Sequence, residues 1–423
     1  SCTGASTSFT IAVNPIPTVN AVANQTICVG GSTTLVTPTG NVVGTVYNWT
    51  SSNTAIGLAA SGTGNIPSFV TTNTGNTPIS STITITPTYT NGGVSCSGAP
   101  ITFTITVNPI PTVNSINNQV ICNGSTTTGV TFTGNVAGTV YNWSNTNTAI
   151  GLGASGVGNI ASFVTTNTTN ATISGTITAV PIYTNAGLSC TGASTSFTIA
   201  VNPIPTVNAV LSQELCTGSS TTAVAFSGFV PNTNYNWTNS NTTIGLGASG
   251  VGDIPSFTTI NTGTLPQVAT ITITPTYSNL GLTCTGSSKQ FIYTVNAVPS
   301  IANITETICS EIRFTTIPVD GGVNANIVPP NTRYTWTVAA NPNVSGQQNQ
   351  LVPQVSISQV LTNLTNVVQT VVYTVTPISG SNGACFGRPF TVTVTINPKV
   401  TVPNQVVSIC SEGSFSLTPA TFT

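Results

Sequence analysis

The chain has 423 residues, of which 39% are hydrophobic and 3% charged. Five Lys and Arg stand against six Asp and Glu, there is no His, and no charged residue precedes Glu214. That balance leaves no basic footprint for nucleic acid and no acidic tail, and without His a Ser-His-Asp arrangement is impossible. The length is too great for one hydrophobic core, and apolar residues are interrupted by Thr, Ser, Asn or Gly too often for a run of about 18 to cross a bilayer.

In chain order, residues 1–14 read as the last strand of a preceding repeat. Residues 15–108, 109–202 and 203–296 then carry one 94-residue text three times, 297–397 is a divergent fourth repeat, and 398–423 is the start of a following one. The register follows from Val13-Asn-Pro-Ile-Pro-Thr-Val19, which returns at Val107–Val113 and Val201–Val207 and decays to Val295-Asn-Ala-Val-Pro299. Trp49, Trp143 and Trp237 each lie 21 positions after Cys28, Cys122 and Cys216, whereas Trp336 lies 27 after Cys309, so the fourth repeat holds an insertion. Repetition with no repeated catalytic side chain marks a construction unit.

Each of the first three repeats opens on the Asn-Pro-Ile-Pro joint. Its two prolines fix φ and remove donors, giving a short, stiff connector. Tyr47-Asn-Trp49 puts Tyr and Trp on one face of a strand, so Trp49, Trp143, Trp237 and Trp336 are predicted core aromatics. An exposed ring would instead make a carbohydrate-stacking platform. Ile56 to Phe69, returning as Ile150–Phe163 and Ile244–Phe257, is rich in glycine, but no Lys follows and no helical pattern opens behind it. A strand and a Gly-rich turn fit it better than a phosphate cradle. Ile83, Ile85, Pro87 and Tyr89 alternate with Thr, as do Ile101, Phe103, Ile105 and Val107, the period-two mark of half-buried strands. No stretch has a helical period. Short strands separated by Gly, Pro and Asn clusters predict an all-β sandwich of about seven strands, repeated in tandem.

Ten cysteines recur about twice per repeat, with no Cys-x-x-Cys spacing, which favours oxidised pairs and an extracellular or periplasmic setting over metal binding. Cys28, Cys96, Cys122, Cys190, Cys216, Cys284, Cys309 and Cys385 are the disulfide candidates. In the sandwich reading Cys28 lies at the turn entering the second strand and Cys96 in the final hairpin, about 26 Å away, whereas bridged Cα atoms lie within about 7 Å. Staples between neighbours (Cys28 to Cys190, Cys122 to Cys284, Cys216 to Cys385), pairs within repeats, and pairs across the linker such as Cys96 to Cys122 all stay open.

Ile27-Cys-Val-Gly-Gly-Ser32, Tyr47-Asn-Trp49, Ser95-Cys-Ser-Gly98 and Phe103-Thr-Ile-Thr-Val-Asn-Pro109 resemble the PKD-like and immunoglobulin-like tandem repeats of giant Bacteroidota surface proteins, including gliding adhesins exported by the type IX secretion system. The resemblance covers the whole chain. It implies modular β-sandwiches in a secreted stalk or adhesin displayed on the bacterial cell surface.

The sequence points to a non-enzymatic stalk or fibre shaft, four repeats reaching about 160 Å. The alternatives are weak glycan- or protein-binding modules gaining avidity by copy number, or the spacer of a larger secreted enzyme. The six carboxylates are single and scattered, so no catalytic, cofactor or metal residue is expected, though Glu311 and Asp320 are the nearest approach to a calcium clamp. Expected partners are the neighbouring repeats, other copies in a fibre, or surface glycans, with no nucleic acid and no membrane span.

Overall fold

A computed structural model describes residues 3–322, 324–380, 384–400 and 406–416. Residues 1 and 2 of the expected preceding strand, and 401–405 and 417–423 of the expected following repeat, lie outside the described residues. The chain divides into two compact units: Ser1–Ile204 with Ser278–Cys284, and Pro205–Tyr277 with Thr285–Thr423.

The first unit contains two closely similar six-stranded sheets. In the first, β1 (Gln25–Cys28), β2 (Val46–Ser51), β3 (Ser61–Thr63), β4 (Ile79–Asn91), β5 (Val94–Ser97) and β6 (Ile101–Asn108) take the order β1-β6-β4-β2-β3, with β5 paired to β4. All neighbours are antiparallel except β1 and β6, which run parallel with Cys28 opposite Asn108. Alternation decides the faces: Ile83, Ile85, Phe103, Ile105 and Val107 are buried while the intervening Thr residues turn outward. Thr suits that outer face, being β-branched and wetted without charge.

Pro87 stands inside β4, a central strand, where its missing N–H would normally break a ladder. It falls between the last pair with β6, Ile85 opposite Ile101, and the first with β5, Thr88 opposite Ser97. No partner there needs its N–H, and its carbonyl accepts from Gly98 N at 2.9 Å.

The opposing layer is thinner than the seven-strand expectation. Segments 32–36 and 66–70 are tied by single bridges, Ser32 to Val70 and Val36 to Ile66, and they carry Val36 and Ile66 into the core beside Ile56 and Leu58. The Gly-rich motif folds as a 3-10 turn over Thr54–Ile56, with the Asn53 side chain accepting from Ala55 N and Gly57 closing it at φ 99°. That turn has no periodic signal and escaped the sequence reading. Strands Gln119–Cys122, Val140–Asn145, Ser155–Val157, Ile173–Asn185, Leu188–Thr191 and Thr195–Asn202 repeat the same plan.

The third repeat has the strand path Gln213–Cys216, Lys289–Asn296, Gln267–Asn279, Asn234–Asn239, Ser249–Val251, all in the second unit except Ser278 and Asn279. The divergent repeat has the path Ile304–Cys309, Phe390–Asn397, Gln369–Ile378, Arg333–Val338, Gln350–Gln354. Its opposing layer is more regular: Arg313–Thr316 pairs with Ile357–Val360, and Val344–Ser345 with Thr362–Asn363. Phe314, Tyr334, Trp336 and Tyr373 fill the core between. The protein is all-β, a tandem of immunoglobulin-like sandwiches. Among the described residues no helix is long and apolar enough to cross a membrane.

Candidate functional site at the repeat joints

Repetition concentrates its unusual chemistry where one repeat passes into the next. β6 ends on Asn108, fully buried, just before Pro109 forces the chain out of the sheet. A buried amide must find partners or cost its desolvation. Asn108 Nδ2 donates to the Asn185 carbonyl at 3.2 Å and Asn185 Nδ2 donates back to Asn108 Oδ1 at 2.8 Å, Asn185 lying at the tip of the next repeat's hairpin.

Asn14 and Asn91 make the same exchange, at 3.0 Å to the Asn91 carbonyl and 3.1 Å back to Asn14 Oδ1. Asn202 repeats it with Asn279 (3.1 Å to its carbonyl), while Thr172 Oγ1 donates to Asn202 Oδ1 at 2.7 Å. At the end of the third repeat Asn296 Nδ2 donates to Glu214 Oε1 at 2.8 Å. Sequence reasoning took the Asn of Val-Asn-Pro as linker and missed this role. The available signal was a polar residue recurring at the end of an otherwise apolar buried face.

The linker is pinned at its other end by glycine. A Cβ on Gly98 or Gly192 would run into the carbonyl of Pro17 or Pro111 respectively, so only glycine lets the proline segment lie against the hairpin.

Beside each buried Asn stands a cysteine. Cys28 closes β1 instead of entering a second strand, and the parallel pairing sets it next to Asn108 at the end of the repeat. Cys96 is opposite Tyr89 in the hairpin, ten positions along β4 from Ile79, about 33 Å away in an extended strand. Pairing within a repeat is therefore out of reach. Cys28 is bonded to Cys190, Cys122 to Cys284 and Cys216 to Cys385, each with Cα atoms 5.7 Å apart. All three join consecutive repeats. Ser278–Cys284 belongs to the first compact unit, so the Cys122–Cys284 bond lies within that unit.

Two of the expected candidates are corrected: Cys96 and Cys309 are free, as is Cys410.

The four expected core tryptophans sit in the cores. Trp49, Trp237 and Trp336 are buried at 5%, 7% and 4% exposure, and Trp143 is partly buried. Gly62, Gly156 and Gly250 lie across the strand pair from Trp49, Trp143 and Trp237, and a Cβ on any of them would enter the indole ring. In these three the indole Nε1 has no hydrogen-bond partner, whereas Trp336 Nε1 donates to the Gln348 carbonyl at 3.1 Å.

Carboxylates serve local structure one at a time. Asp253 accepts from Phe226 N at 2.8 Å, Asp320 from Val328 N at 3.0 Å, and Glu311 pairs with exposed Lys399 at 2.8 Å. Glu311 and Asp320 therefore have separate partners. Among the described residues no group of three His, Cys, Asp or Glu gathers to hold a metal. The perturbed titrations are buried tyrosines: desolvation pushes Tyr293 and Tyr334 up to about 12 and Tyr373 higher still.

Residues 306–400 match the PKD-like domain family. No curated protein matches the chain. Among solved structures, the human desmocollin-1 ectodomain matches at 12% identity over 92% of this chain and 81% of that one, with a TM-score of 0.28. Mouse cadherin-23 EC22-24 matches at 10% identity over 69% of this chain and 99% of that one (TM-score 0.32), and Sidekick-1 immunoglobulin domains 1-5 at 10% over 90% and 80% (TM-score 0.27).

Proposed function

We propose that this chain is a non-enzymatic shaft segment of a long secreted surface adhesin or fibre, extracellular and displayed on a bacterial cell. The observation that carries this reading is the joint. The three consecutive pairs among the four repeats are each joined by a cystine, and the joints after Asn14, Asn108 and Asn202 add an amide exchange and a proline connector held against glycine. A module that only had to bind a ligand would not need its neighbours held so firmly. Three cystines also require an oxidising compartment, which accords with export. The type IX route and a role in gliding motility belong to the same proposal and rest on the sequence resemblance.

The reading is tested in the intact surface protein by adding or deleting whole 94-residue repeats. The expected outcome is a change in how far the distal end stands from the cell, measured by electron microscopy, with no change in ligand affinity of the purified chain on a glycan array. Glycan binding that strengthens with copy number would overturn it in favour of repeated binding modules. Buried Trp49, Trp237 and Trp336 offer no stacking face for that alternative.

A further inference from the structure

The three cystines among the described residues overlap in sequence: 28–190, 122–284 and 216–385. We infer that they form a tension bypass, an interlocked covalent ladder that keeps the repeats from being drawn out when the chain is pulled by its ends. The inference deepens the shaft reading and rests on it for its biological purpose only.

Tension in a crosslinked chain follows the shortest covalent route. Here that route is residues 1–28, across to Cys190, on through 190–216, across to Cys385 and out through 385–423, 94 residues of the 423. Residues 29–189 and 217–384 are closed in loops that no axial force can straighten. At up to 3.6 Å per residue, the fully unfolded oxidised chain extends to about 340 Å and the reduced chain to about 1,500 Å.

The middle bond lies off the route while both outer bonds are intact, and it becomes the reserve when one fails. Without Cys216–Cys385 the shortest route runs 1–28, back from 190 to 122, then 284–423, or 237 residues. Without Cys28–Cys190 it runs 1–122, back from 284 to 216, then 385–423, or 230 residues. The geometry at the joints makes this possible: each staple leaves a repeat beside the Asn that ends its last strand and enters the next at its hairpin, so the bond passes from end to end instead of crosslinking one sandwich to itself.

The test is optical-tweezer extension of the full chain held at both termini. The expected unfolded length is about 340 Å when oxidised and about 1,500 Å with a phosphine reductant. Cys122→Ser leaves the oxidised length unchanged, while Cys385→Ser and Cys28→Ser each raise it to about 830–850 Å. These lengths are read on the unfolded chain, so a variant that folds poorly still reports its route, and non-reducing peptide mapping of the same sample identifies the bonds. An oxidised chain extending to the reduced length, or lengthening on Cys122→Ser, overturns the ladder. A short oxidised chain that nonetheless binds glycans with avidity would keep the ladder and overturn the shaft.

Discussion

Packing at single residues turns on glycine opposite tryptophan. Gly62 gives the Trp49 indole a flat bed, so Gly62→Ala must move the ring or the strand, at a cost of about 1–3 kcal/mol. A thermal melt followed by Trp fluorescence should show a lowered Tm, and an unchanged melt would show that the ring can shift freely. Tyr293 gives a pH prediction. Its hydroxyl is buried without a partner and its folded pKa is raised to about 12 by desolvation. A group raised above its unfolded value of about 10 contributes stability that is present below pH 10 and is lost as the pH climbs toward 12. Denaturant titrations at pH 9, 10.5 and 11.5 should show that fall, with Tyr334 and Tyr373 adding to it. Tyr293→Phe should be neutral or slightly stabilising at pH 7, since no hydrogen bond is lost, and should soften the alkaline fall. A marked destabilisation at pH 7 would contradict the unpartnered hydroxyl.

Elements are held to one another by amides that the period-two pattern does not reveal. Gln119 reaches from its short edge strand to the opposing layer, donating to the Thr128 carbonyl at 3.0 Å and accepting from Thr128 N at 3.1 Å; Gln25 and Gln213 do the same with Thr34 and Thr222. One side chain replaces a bridge between layers. Asn167 does more, donating to the Ala171 and Val201 carbonyls at 2.8 Å each and accepting from Thr169 N at 2.9 Å, with counterparts at Asn73, Asn261 and Asn363. Asn167→Ala strands buried groups and should cost about 2–4 kcal/mol, against about 1 kcal/mol for Gln119→Ala. Hydrogen exchange should show faster opening of Thr195–Asn202 in the Asn167 variant; equal protection would deny its role. In the unaligned composition these residues are lost among many Asn and Gln, and only their recurrence at 94 residues could have marked them.

For the whole molecule, the free and bonded cysteines make the fold testable without force. Under native, non-reducing conditions a maleimide should label exposed Cys309 and Cys410 first and half-buried Cys96 more slowly, leaving Cys28, Cys122, Cys190, Cys216, Cys284 and Cys385 unlabelled. A peptide joining Cys28 to Cys96 would contradict cystines between consecutive repeats. Each staple closes a loop of about 160 residues, for which chain entropy alone suggests up to about 5 kcal/mol, so reduction should lower the thermal midpoint of a chain whose individual sandwiches are unchanged. A reduced chain melting at the oxidised temperature would show that the joints hold without sulfur.

Composition and alternation determined a great deal by themselves. Thr against Ile at a period of two marks half-buried strands, and a text repeated at 94 residues with Cys and Trp on a constant beat marks a tandem of similar units. The same letters left the cysteine partners open, because connectivity depends on which ends of two repeats meet. The parallel pairing of β1 with β6 settled that, by carrying Cys28 to the end where Asn108 leaves the sheet and the next hairpin arrives. Parallel pairing is a non-local choice with no local signal in Gln25-Thr-Ile-Cys28. Burial of Asn108 and the bed beneath Trp49 are likewise decided by what packs opposite, which only the assembled sheets supply.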